Sequence, residues 1–150
     1  MSLTELMGGP ARVHSFAGLQ ARLNDNSSRA RQEHLKWQHI AGRTEEGRRI
    51  AGGWTRDVME AEFARYQALI EEYCATMRLL DEFEEAYRAA AAGHEEELVW
   101  ATLTRAYGAE GDGSVLVPLA SGGAMLVRPD DALMLPPWMQ PGDDETGGTT

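Results

Sequence analysis

Between Val58 and Tyr87 the large apolar residues fall at Met59, Phe63, Tyr66, Ile70, Tyr73, Met77 and Leu80, an unbroken 4-3-4-3-4-3 spacing. An α-helix winds such a rhythm onto a single seam and leaves Glu60, Glu71, Glu72, Arg78 and Asp81 largely to the flanks. The pattern predicts a long helix that starts near Thr55 or Arg56, with Asp57, Glu60 and Glu62 in its early turns where negative charge suits the helix dipole. It runs to Ala92 and stops at Gly93, a residue suited to a left-handed C-terminal cap. Glu84 interrupts the seam before Tyr87 resumes it, and Leu69 and Phe83 widen it. Three tyrosines are bulky for a two-stranded coiled coil, so a globular helical hairpin or bundle is expected, with the seam as its core.

Weaker patterns flank this helix. Ser15 is placed to cap a short helix carrying Phe16, Leu19 and Leu23, which the run Asn24-Asp25-Asn26-Ser27-Ser28 is expected to break. A second helix over about 28–41 aligns Ala30, His34, Trp37 and Ala41. From Gly42 to Trp54 four glycines, each costing a helix about 1 kcal/mol against alanine, predict a frayed helix or a loop. Beyond Gly93, residues 95–97 are all glutamate and open a further helix with Trp100, Leu103 and Tyr107 on one face, ended by Gly108.

The period then changes to two. Ser114-Val-Leu-Val-Pro-Leu119 and Ala124-Met-Leu-Val127, joined by a glycine turn, predict a β-hairpin over 114–127. Pro118 has no amide to donate, so its strand is expected at an edge. The fold class is therefore mainly α, with a small C-terminal β-hairpin. Residues 1–12 read as a flexible arm, 13–139 as a single helical domain and 140–150 as a disordered acidic tail. A chain of 150 residues can bury about 70% of the surface that its unfolded form exposes.

Composition adds three constraints. Cys74 is the only cysteine, which rules out an internal disulfide, fits a cytoplasmic protein or soluble assembly, and suggests a small apolar residue packed on a core helix. No apolar run reaches the roughly 20 residues a membrane helix needs, so no membrane partner is expected. The net charge of −10 is uneven, since residues 1–56 hold nine basic and five acidic side chains and residues 57–150 hold five and nineteen. Such asymmetry lets two halves, or two copies, attract one another.

Candidate chemistry is sparse. No Gly-x-Ser-x-Gly elbow and no Glu-x-x-His pair occurs, and the single lysine, Lys36, does not follow a glycine-rich loop. His34 and His39 are five apart and point to different sides of a helix, while His94 beside the three glutamates reads as solvated charge at a helix start. The sequence thus assigns no catalytic residue, no metal and no cofactor. Arg29, Arg31, Lys36, Arg43, Arg48 and Arg49 are candidate phosphate contacts, with Gly42 in the turn of a helix-turn-helix. Leu133, Leu135, Trp138 and Met139, around Pro136-Pro137, are candidates to dock on a partner.

The hairpin segment 114–127, following a long helix, is similar to the strand segment of prefoldin-type chaperone subunits, although no returning C-terminal helix follows it. That resemblance implies a subunit that assembles through its strands. The reading that emerges is a non-enzymatic, self-associating adaptor or assembly component of the kind found in virion, secretion or effector machinery. Its partners are expected to be proteins, a second copy among them. The alternative is a nucleic-acid-binding oligomer that uses the basic N-terminal third.

Overall fold

A computed structural model describes residues 12–135. The chain is mainly helical, with helices α1 (Phe16–Ala41), α2 (Glu45–Ala51), α3 (Arg56–Ala91) and α4 (Val99–Tyr107). Three short strands, β1 (Val13–Ser15), β2 (Val115–Pro118) and β3 (Ala124–Val127), form one sheet, and a 3-10 helix follows at Pro129–Met134. Contacts group the chain into two compact units, one of residues Gln20–Arg78 and one of the described residues up to Leu19 with those from Leu79 onward.

The long helix ends as its sequence predicts, with Gly93 at φ +80° after Ala91. The polar run at 24–28, by contrast, does not break α1, which passes through it without interruption. The reason lies in a stripe that crosses the run. Phe16, Leu19, Asn26 and Ala30 are all buried, with Leu23 and Trp37 half-buried on the same line. The helix propensity lost at Asn, Asp and Ser is only a few tenths of a kcal/mol each, less than the packing of that face returns.

The 42–54 segment holds a real helix where a frayed one or a loop was expected. Thr44 caps α2 by accepting the Gly47 amide at 3.0 Å, Glu45 and Glu46 lie in its first turn, and Arg48 and Arg49 in its last. Gly47 is buried against the end of α1, where a β-carbon would stand 2.2 Å from the His39 carbonyl oxygen. Glycine is required there for close approach.

In the other unit α4 folds back onto the end of α3. The Tyr107 hydroxyl donates to the Ala86 carbonyl at 3.1 Å and the Arg105 guanidinium to the Ala90 carbonyl at 2.8 Å. This helix begins at Val99, later than the glutamate run suggested, because those side chains are used locally. Glu95 accepts the Gly93 amide, and Glu97 accepts from Arg105 at 2.9 Å.

The hairpin forms over the predicted residues, Val115 opposite Val127 and Pro118 opposite Ala124, and β2 is an edge strand as Pro118 requires. The sheet has a third member that the sequence did not announce. β1 lies parallel to β3, Val13 opposite Ala124, so the residues next to the expected N-terminal arm are part of the sheet. At Gly123, φ is +78° and a β-carbon would meet the Arg12 carbonyl oxygen at 2.4 Å, so β1 seats directly on a glycine.

The core of this unit joins sheet to helices. Val115, Val117, Met125 and Val127 are fully buried with Phe16, Leu19, Phe83, Tyr87, Val99, Leu103, Leu119 and Leu135. The hairpin is therefore core, not an appendage held back for association. Each fully buried aliphatic side chain contributes roughly 1.5–3 kcal/mol.

Candidate interaction surface

Within residues 20–78, α1 and α3 run antiparallel. His34 Nδ1 lies 3.0 Å from the Tyr66 hydroxyl, Lys36 Nζ 3.7 Å from a Glu62 oxygen, and the Trp37 ring meets Phe63 edge-on with centroids 5.1 Å apart. At about 100° per residue, Tyr66, Leu69, Tyr73 and Thr76 share the side of α3 that carries these contacts. Thr76 is 2% exposed and its hydroxyl donates to the Glu72 carbonyl, so the polar group is satisfied within the helix.

The predicted seam is split by this arrangement. Tyr66 and Tyr73 belong to the α1-facing line, and Leu80 packs against the core of the other unit. Met59, Phe63, Ile70 and Met77 follow a second stripe, about a quarter turn around α3. None of the seven is fully buried, and Phe63 is 42% exposed. Cys74 lies between Ile70 and Met77 on this second stripe and is exposed, where the sequence suggested a packed core thiol. α3 thus carries more apolar surface than α1 covers.

An aromatic cluster closes the turn end of the hairpin. The Trp37 ring lies 6.1 Å from Trp54 and 6.2 Å from Tyr66, with Phe63 6.0 Å from Tyr66. Lys36, the only lysine, is held among them, 2.8 Å from Glu33 and 3.7 Å from Glu62, with Nζ 5.9 and 5.8 Å from the Trp37 and Trp54 ring centres. Two carboxylates and two indole faces surround it, so it serves as a clamp between α1 and α3. Sequence spacing could not reveal this arrangement because Trp54 reaches it from the far side of the α2 turn. Asn26 Nδ2 and Trp37 Nε1, both on the α1 stripe, are buried with no hydrogen-bond partner among the described residues.

A depression of about 140 Å³ lies between α1 and α3, with Arg29, Glu33, Glu62, Arg65 and Tyr66 among its walls. Both carboxylates already serve Lys36, and Glu62 also accepts from Arg65 at 3.1 Å. The Tyr66 hydroxyl in its wall is engaged by His34 Nδ1 at 3.0 Å.

Several candidate phosphate contacts are turned to internal use. Arg29 faces Asp25 at 3.7 Å, Arg49 pairs with Glu46, and Arg48 donates to the Arg43 carbonyl. With seven residues and Gly47 pressed onto α1, α2 offers little length for reading a groove. His94 lies 3.7 Å from Glu97, and backbone amides of residues 93 and 95 hold the Glu95 carboxyl below its ordinary value. Among the described residues no three His, Cys, Asp or Glu side chains stand together as metal ligands, and no helix is long and apolar enough to cross a membrane.

Of the candidate docking residues, Leu135 is 3% exposed in the sheet unit's core and so folds back onto the chain instead of facing a partner. Leu133 belongs to the 3-10 helix, while Trp138, Met139 and the 140–150 tail lie outside the described residues. Comparison of the chain with protein-family models, curated proteins and solved structures finds no match.

Proposed function

We propose that this protein is a non-enzymatic assembly component that self-associates and engages other proteins through its helical hairpin. The observation that carries the reading is the second apolar stripe of α3, Met59, Phe63, Ile70, Cys74 and Met77, of which Phe63 and Cys74 are exposed and the other three only half-buried. Large apolar side chains aligned along five turns of a rigid helix suit one partner helix over their whole length. The aromatic cluster at Trp37, Trp54, Phe63 and Tyr66 adds the residue types on which protein interfaces concentrate their energy. The internal pairing of Arg29, Lys36 and Arg49 supports this reading over nucleic-acid binding.

Light scattering coupled to size exclusion tests it. The full chain at tens of micromolar is expected to elute with at least twice the monomer mass, and Phe63→Glu with Ile70→Glu to return it to monomer while the helical circular dichroism persists. A monomeric wild-type chain overturns the reading. Sub-micromolar, salt-dependent retention on DNA at about physiological ionic strength would replace it with the nucleic-acid alternative.

A further inference from the structure

We infer that the open face of the hairpin is closed by a second copy of the chain, in a four-helix bundle where α1 and α3 alternate around the axis; this rests on the self-association reading. Three observations in residues 20–78 converge on that arrangement. The first is angular. The two stripes of α3 are separated by about a quarter turn, the separation a helix needs when it touches two neighbours at the corners of a square bundle. One neighbour is the chain's own α1, and the second stripe asks for another helix at right angles to it.

The second is size. Toward that face α1 presents Ser27, with Leu23 at the edge of its buried stripe, both half-buried, and His34, exposed although its Nδ1 meets the chain's own Tyr66. Small and medium side chains there accept the Phe63, Ile70 and Met77 of another α3, large against small, whereas two α3 stripes face to face would set large against large.

The third is charge. The α1 segment 20–41 has four basic and two acidic side chains, while the α3 segment 56–78 has three basic and five acidic. Alternation places each α3 between two α1 helices of opposite sign, and pairing α3 with α3 would bring acidic flanks together. A twofold axis along the bundle satisfies all three, keeps every neighbouring pair antiparallel, and repeats between chains the register seen within one.

That register makes the arrangement testable. From the His34–Tyr66 contact, stepping back along α1 to Ser27 and forward along α3 to Cys74 covers nearly the same rise, so Cys74 stands level with Ser27 of the second copy. Full-length Ser27→Cys, retaining Cys74, should form a disulfide-linked dimer under mild oxidation. Most of the chain should shift to twice its mass on a non-reducing gel, and the shift should vanish in Ser27→Cys with Cys74→Ser. Wild-type chain should not cross-link. If light scattering shows a dimer but the link forms between two Cys74 thiols, or no link forms, self-association stands and the alternating bundle falls. A monomer by light scattering overturns both, and a mass above the dimer overturns the closed bundle.

Discussion

Phe16, the first residue of α1, packs its ring against Phe83 near the end of α3, with centroids 5.4 Å apart and planes tilted by 49°. Both are 2% exposed, so a buried helix-to-helix contact of the sheet unit lies beyond the regular part of the heptad seam. Phe83→Ala should cost about 3–5 kcal/mol. Ile70→Ala, at a half-buried site, should cost clearly less at concentrations where the chain is monomeric, and Gln67→Ala almost nothing. Urea titrations of the three variants would check the order, and equal losses would return the core to the seam.

Truncation after Gly111 removes Val115, Val117, Met125 and Val127, each fully buried. The shortened chain should lose cooperative unfolding of residues 79–107 and expose Phe83, Tyr87 and Leu103 to solvent. Increased binding of a hydrophobic dye, with residual helicity from the remaining hairpin, is the expected signature. An unchanged melting transition would show that the sheet is dispensable.

Gly47 and Gly53 are a matched pair. A β-carbon at Gly47 meets the His39 carbonyl at 2.2 Å, and one at Gly53 meets nothing within 4 Å. Gly47→Ala should therefore destabilise the hairpin turn by more than the 1 kcal/mol or so that glycine ordinarily costs a helix, while Gly53→Ala should be neutral or slightly stabilising. Thermal melts of both variants decide it.

Burial pushes the Tyr87 hydroxyl above its ordinary value, partly opposed by a hydrogen bond with Thr102, and burial does the same to Tyr107. The fold favours the neutral phenols, so their stabilising contribution is complete below the unfolded-state value of about 10 and is lost as pH rises through the higher folded-state values. Absorbance titration should show these two tyrosines ionising late, with Tyr107→Phe removing one late step. Ionisation of both at or below the ordinary value would contradict the burial described above.

What local chemistry encodes was legible. The limits of α3 follow from periodicity and Gly93, and the hairpin from alternation, Pro118 and the Gly122-Gly123 turn. What depends on distant partners was not. The 24–28 run carries every local sign of a break, and only the stripe from Phe16 through Asn26 to Trp37 reveals that the helix continues. The heptad rhythm located the apolar surface of α3 but could not say which part α1 covers, because one packed helix faces only one side of so wide a band. The Lys36 clamp depends on Trp54 returning across α2, a meeting that spacing along the chain does not record.

The pairing of Val13 with Ala124 also sets an order of events as the chain is made. β1 has no place to bind until β3, 111 residues further along the chain, has been made, whereas α1, α2 and α3 can meet as soon as α3 emerges. Phe16 and Leu19, buried in the finished sheet unit, would wait uncovered for that interval. The hairpin is thus the early folding piece, closure of β1 onto β3 the late one, and newly made chains at high local concentration would present one another with the same apolar surfaces that the mature protein hides.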